Sequence, residues 1–269
     1  MKEHFFEARG LYYRSSDINP HRQTLVFVHG LSGSSSVWVP YERQLEAECN
    51  IISMDLRGHG KSRKFLFYTA YTPELIASDI NALLDHLHVP RCVIVGHSFG
   101  TLLALSALKQ RSERFSAIIF LSPTYGASAS WWLPFAHMLV AFFRTLSLIL
   151  PFDPAPRGHV DYSRYAPTGD WSLRRIIPDI RNTSLRVYVF CVQHIYNEDT
   201  DSWWKGSTTP TLIVHGGKDT VIGVAHAEKL HRLLPRSRLV LLPNDNHILP
   251  VNNIPEVTQA IRDFLALLK

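Results

Sequence analysis

Cysteine is scarce in this chain. Among 269 residues there are three, Cys49, Cys92 and Cys191. They are far apart, odd in number and form no CxxC pair, which argues against a disulfide framework and a thiolate zinc site. Charge is also thin, at 19% of residues against 46% apolar, the balance of a globular chain and not of a disordered one. The formal charge is +5, but the lysines and arginines form no dense run. The excess reads as solvated surface charge, and no nucleic-acid partner is expected. The amino terminus, MKEHFFEARGLYYR, lacks an apolar core of signal-peptide length, so a cytoplasmic location is the default expectation. No metal-ligand cluster and no phosphate-binding loop is present, and neither a metal nor a cofactor is expected.

One apolar run is long. WWLPFAHMLVAFFRTLSLILPF, residues 131–152, approaches the length that spans a bilayer. Pro134, His137 and Arg144 are unfavourable at the centre of a spanning helix. The run reads instead as a partly buried helix over an apolar site, or an interfacial helix. Elsewhere, short Val/Ile/Leu runs alternate with helical spacing. LVFVHG (25–30), residues 51–54, RCVIVGHS (91–98), FSAIIFLSP (115–123), TPTLIVHGGKD (209–219) and SRLVLLPN (237–244) read as strands. VWVPYERQLEAE (37–48), TPELIASDINALLDHL (72–87), FGTLLALSALKQR (99–111), AHAEKLHRLL (225–234) and the terminal PEVTQAIRDFLALLK (255–269) read as helices. Thr72 is a suitable N-cap, with Pro73 at the first helical position. Continuous apolar strands imply burial on both faces, hence an α/β architecture with a mostly parallel sheet flanked by helices. The alternation breaks between Pro123 and residue 207. The expected organisation is a core of residues 1–124 and 207–269 with an insertion at 125–206.

GHSFG, residues 96–100, matches G-x-S-x-G in the strand-to-helix context that motif requires. A sharp turn there strains Ser98 and lifts its hydroxyl clear of the backbone. Gly96 and Gly100, without Cβ atoms, let neighbouring elements approach. The bland alternative is a tight turn with a capping serine. A serine needs a base to become a nucleophile. His247 lies in NDNHIL after a strand and before the last helix, where a base is expected, and His215 is the rival. His97 adjoins Ser98, but neighbours on such a turn point apart. The orienting carboxylate is expected from HGGKDTVI, as Asp219. Its rivals are Asp245, which is close in sequence to His247, and Asp199 and Asp201 in the insertion. The bland alternative for Asp219 is a turn or N-cap carboxylate. Acyl transfer also needs oxyanion donors. The backbone N–H groups of Phe99 and of Leu31, in the loop HGLSGS (29–34), are the candidates.

HGLSG, DLRGHGKS (55–62), GHSFG, GGKD (216–219) and NDNH, in this order, resemble the α/β-hydrolase superfamily. The likeness covers residues from about 10 to 269 apart from the insertion, and this motif set is specific. It implies the α/β-hydrolase fold with a helical cap inserted after strand six, and a Ser98, Asp219, His247 triad. It also implies that Asp55 and Arg57 to Ser62 form a structural loop near the site. Thr101 stands where many relatives carry a third glycine. Dehalogenases and epoxide hydrolases of this superfamily use an aspartate nucleophile, so Ser98 argues against both. The resemblance favours a carboxylesterase or a monoacylglycerol-lipase-like enzyme acting on a small, apolar ester.

Trp131, Trp132, Phe135, Met138 and Phe142 in the long run are candidates for binding an acyl chain, with simple core packing as the alternative. Trp203 and Trp204 are candidates for closing the cap's far end. A transient contact of this helix with a membrane or lipid surface is a further expectation. The same triad serves carbon–carbon bond hydrolysis of diketones or ring-fission products, and cofactor-free perhydrolysis. A non-catalytic ligand-binding scaffold on this fold is the alternative outside enzymes.

Overall fold

The structure is a computed structural model describing residues 1–124, 133–197 and 207–268. Its centre is an eight-stranded sheet, β1 (Lys2–Phe6), β2 (Leu11–Ser15), β3 (Thr24–Val28), β4 (Asn50–Met54), β5 (Cys92–His97), β6 (Phe115–Leu121), β7 (Thr211–Gly216) and β8 (Ser237–Leu242). The strand order is β1-β2-β4-β3-β5-β6-β7-β8. β1 pairs antiparallel with β2 and β2 with β4, and every other pairing is parallel. The helices are α1 (Val39–Leu45), α2 (Pro73–His86), α3 (Phe99–Gln110), α4 (Leu133–Ile149), α5 (Leu173–Thr183), α6 (Leu185–Asn197), α7 (Val224–Leu233), the short α8 (Leu249–Asn252) and α9 (Ile254–Ala266).

The apolar strand runs have a direct consequence. Successive side chains of a strand point to opposite faces, so each run feeds two apolar layers at once. Val26, Val28, Ile52, Ile94, Ile118 and Ile213 join α2, α3 and α7 on one face. Leu25, Phe27, Ile51, Val93, Ile119 and Val214 join α1 and α9 on the other. The expected cap forms: the Thr72 hydroxyl accepts from the Leu75 N–H at the start of α2. Asn253 caps α9 in the same way, by accepting from the Glu256 N–H.

Two strands went unread in the sequence. β1 is mostly exposed and carries no apolar alternation. β2 is buried throughout, but it buries a charge, Arg14, against Glu42 at 2.6 Å. Neither presents the apolar run that marks the central strands.

Between β6 and β7 the chain leaves the sheet and forms α4, α5 and α6. These helices form the insertion after the sixth strand, and β7 then resumes the sheet beside β6. Several side chains fasten it to the core. His159 Nε2 lies 2.7 Å from Asp55 Oδ2, and the Thr183 hydroxyl donates to the Ser32 carbonyl at 3.0 Å. Among the described residues, no helix is long and apolar enough to cross a membrane.

Candidate active site

β5 ends at His97 and α3 begins at Phe99, leaving Ser98 alone at the turn. Its φ is +51° and ψ −119°, a backbone region that residues with a Cβ seldom occupy. The turn is compact because Gly100 has no side chain. A Cβ there would lie 2.5 Å from the Val28 carbonyl oxygen and 2.7 Å from that of His29. The start of α3 is thereby pressed onto the end of β3, which brings the loop carrying Leu31 beside Ser98. The N-terminus of α3 directs its partial positive charge at the same point.

His247 and Asp219 reach Ser98 from two other strand ends. A Cβ on Gly216 would sit 2.6 Å from the carbonyl oxygens of both Asp245 and Asn246. The loop after β7 and the loop after β8 are therefore packed backbone to backbone, and the Lys218 N–H donates to the Asp245 carbonyl at 2.7 Å. Asp219 stands on the first loop and His247 on the second. His247 Nδ1 lies 2.8 Å from Asp219 Oδ2, and His247 Nε2 lies 2.9 Å from Ser98 Oγ. The structure thus joins Ser98, His247 and Asp219 in one hydrogen-bonded line. Asp219 and His247 are buried, and Ser98 is partly open.

Asp219 is also a turn carboxylate, because its Oδ1 accepts the N–H groups of Val221 and Ile222 at 2.9 and 2.7 Å. Burial opposes its ionisation. The hydrogen bond and charge of His247, with the Ile222 N–H, outweigh that and hold its carboxyl below the ordinary value. It is an anion at neutral pH, suited to fix the Nδ1–H tautomer and leave Nε2 free to accept the Ser98 proton.

The rivals are elsewhere. His215 donates through Nε2 to the Ile222 carbonyl and lies 3.6 Å from Asp219 Oδ2. Asp245 accepts from the Asn253 amide at 2.7 Å. Asp199, Asp201, Trp131, Trp132, Trp203 and Trp204 lie outside the described residues. Phe135, Met138 and Phe142 sit on α4, exposed at 62, 61 and 61%. Asp55 anchors the loop it heads by accepting the N–H groups of Ser35 and Lys61, each at 2.7 Å.

Other contacts at the site have no motif in the sequence. His97 is not hydrogen-bonded to Ser98; its Nε2 donates to the His247 carbonyl at 3.0 Å. Burial, then the nearby His247, pushes His97 down to about 3, so it is neutral and can hold that carbonyl at any working pH. The Thr124 hydroxyl lies 3.4 Å from Ser98 Oγ. Thr101 accounts for its position: its hydroxyl accepts the Thr124 N–H at 3.0 Å, and its one proton is shared between the Thr124 and Ser98 carbonyls, 2.8 and 2.6 Å away. A glycine at position 101 could make none of these bonds.

The enclosed histidines set an acid limit on stability. His29, His59, His97, His194 and His215 are all held below the ordinary imidazole value, chiefly by burial, with His59 and His97 at about 3. An unfolded chain binds protons at these positions near pH 6.5, while the folded one refuses them, so stability falls as pH falls. Each group contributes up to about 1.4 kcal/mol per pH unit within its window. Asp79 and Asp179, raised by burial, the latter to about 6, work in the opposite sense, but they are outnumbered. The melting temperature is therefore expected to fall steadily from pH 6.5 to pH 4.5 at constant ionic strength. A flat or rising series of thermal melts would contradict this.

A family model described as the alpha/beta hydrolase fold matches residues 23–253. "Uncharacterized hydrolase YugF" of Bacillus subtilis (strain 168) is 26% identical over 266 residues, covering 92% of this chain and 91% of its own. A probable esterase of Oryza sativa subsp. japonica is 28% identical over 247 residues, covering 88% of each chain. A solved thermophilic esterase from Thermogutta terrifontis superposes with a TM-score of 0.75 at 21% identity, covering 96% of this chain and 93% of that one. The family match spans most of the sheet, the strand-to-helix turn at Ser98 and the loops bearing Asp219 and His247, and on that ground the chain belongs to the α/β-hydrolase fold family.

Proposed function

We propose that the chain hydrolyses carboxylic esters through an acyl-Ser98 intermediate. One observation carries this reading: the unbroken line from Asp219 Oδ2 to His247 Nδ1 and from His247 Nε2 to Ser98 Oγ, at 2.8 and 2.9 Å. In the first half-reaction Ser98 Oγ bonds to the ester carbonyl carbon as its proton passes to His247 Nε2. Asp219 stabilises the imidazolium so formed. The carbonyl electrons move onto oxygen, and the N–H groups of Phe99 and Leu31 donate hydrogen bonds to the oxyanion so formed. The oxyanion collapses, the bond to the leaving alcohol breaks, and His247 returns the proton to that alcohol. Water repeats the sequence on the acyl-serine, releases the acid and restores Ser98.

Residues 125–206 act in this reading as a cap over the site, and the exposed apolar side chains of α4 support an apolar acyl group or a lipid surface as what the cap meets. The rice relative, titled a probable esterase, supports ester substrates over carbon–carbon bonds. The three cysteines, buried and without disulfides, fit a reducing compartment such as the cytoplasm. The test is hydrolysis of p-nitrophenyl esters with acyl chains of about two to sixteen carbons; an acyl group met by the apolar side chains of α4 favours longer chains over acetate. Hydrolysis with a clear optimum is expected. No hydrolysis at any length would overturn the ester reading.

A further inference from the structure

One buried carboxylate outside the catalytic line touches both of the loops that make it. Asp170 lies in the insertion, just before α5, and is 8% exposed. Its Oδ1 accepts the backbone N–H of His247 at 2.8 Å. Its Oδ2 accepts the backbone N–H and the hydroxyl of Thr220 at 2.8 and 2.7 Å. Thr220 follows Asp219 directly. A single side chain therefore grips the peptide after the acid and the peptide before the base.

All three partners are donors, and an ionised carboxylate, an acceptor at every lone pair, suits them. The neighbouring backbone makes the same crossing. The Thr168 carbonyl accepts from the amides of Asn246 and Asn252, each at 2.8 Å, and the Trp171 indole N–H donates to the Thr220 hydroxyl at 3.1 Å. Behind it, Arg175 donates to the Asp170 carbonyl and to Asp179, which also accepts from Tyr162. The carboxylate is thus braced from the cap side. His97 holds the carbonyl of His247 while Asp170 holds its N–H, so both peptide groups of the base are fixed by side chains.

We propose that Asp170 is a positioning residue of the active site, a clamp in the cap that sets the Asp219–His247 contact. This rests on the reading of Ser98, His247 and Asp219 as the reacting line. It assigns the cap a part in the chemistry that is separate from enclosing substrate.

The test uses the full chain with Asp170→Asn and, as a milder change, Thr220→Val. In the first, the amide NH2 faces a donor whichever way it turns, so at least one loop is released. In the second, one hydroxyl is lost and both backbone bonds remain. Three quantities are read: kcat and KM for the best ester, the rate at which a fluorophosphonate probe labels Ser98, and the low-field proton resonance of the His247 Nδ1–H shared with Asp219.

For Asp170→Asn, kcat and the labelling rate are expected to fall about 10- to 100-fold, with KM within about twofold, as for a misplacement of under 1 Å at a reacting group. The low-field resonance should weaken or move upfield, and the acid limb of the rate profile should move to lower pH, because the imidazolium loses its anion. Thr220→Val should cost about two- to fivefold with the same changes in miniature. In an Asp219→Asn background, Asp170→Asn should cost less than about threefold further, since its effect passes through that contact.

Wild-type kcat, resonance and pH limb in Asp170→Asn would overturn the clamp. So would a full loss persisting in the Asp219→Asn background, or a lowered melting temperature with the resonance unmoved. If Asp170→Asn does not fold, Thr220→Val decides on the same readouts. If wild type takes up no probe and cleaves no ester, the hydrolase reading fails. The resonance alone then judges the clamp: loss on substitution supports it, and persistence overturns it.

Discussion

Ser98→Ala abolishes turnover, with a loss on the order of 10⁶-fold in kcat, the scale seen when a serine hydrolase loses its nucleophile. The size follows from the proposed chemistry. Every covalent step runs through Ser98 Oγ, the atom 2.9 Å from His247 Nε2. The Thr124 hydroxyl, 3.4 Å away, is not bonded to that base and gives no substitute. The fold is expected to survive. The turn is held by packing at Gly100 and by the Ser98 backbone, whose N–H donates to the Leu121 carbonyl and whose C=O accepts from Thr101, and alanine keeps all of these. Circular dichroism and a melt within a few degrees of wild type would accompany the loss. Activity above about 1% of wild type in pure Ser98→Ala protein would move the nucleophile elsewhere, because background catalysis without the nucleophile is far smaller.

Asp219→Asn follows, with a loss of about 10⁴-fold. The carboxylate has one oxygen occupied by the N–H groups of Val221 and Ile222, and the other on His247 Nδ1. An asparagine keeps its carbonyl on the two N–H groups and turns its NH2 toward the imidazole. The ring answers by accepting at Nδ1 and carrying its proton on Nε2, where it can no longer take one from Ser98. Geometry is preserved and the tautomer is wrong. Asp245→Asn is the control. Asp245 accepts from Asn253 on the far side of the loop, and its neutralisation should leave kcat within about threefold of wild type, as for a substitution away from the site. If Asp245→Asn is the more damaging of the two, the orienting carboxylate has been misassigned.

The central strands were legible because a strand buried on both faces has no choice but a run of Val, Ile and Leu. β1 and β2 were not, since one is solvent-exposed and the other trades apolar content for the Arg14–Glu42 pair. The line of Ser98, Asp219 and His247 could be picked out because the strained turn and the strand-end loops demand glycines at fixed places. Asp170 gave no such sign. Its partners are mainly backbone N–H groups, which every residue but proline carries, and it sits in the insertion, where no periodic pattern exists to place it. Thr124 and His97 escaped for a related reason. Thr124 is positioned by Thr101, which sequence reading treats only as a departure from glycine. His97 was weighed as a base for Ser98, whereas its ring serves the carbonyl of His247. Motifs report groups that must be a given residue type. They do not report residues that act by holding another residue's backbone.

The most direct measurement of the central claim is rapid-quench mass spectrometry of wild-type protein mixed with its best p-nitrophenyl ester. The account predicts a transient mass increase equal to the acyl group, located by digestion on the peptide carrying Ser98, rising with the first release of p-nitrophenol and absent from Ser98→Ala. Ester turnover with no acyl adduct, or with the adduct on another residue, would contradict it.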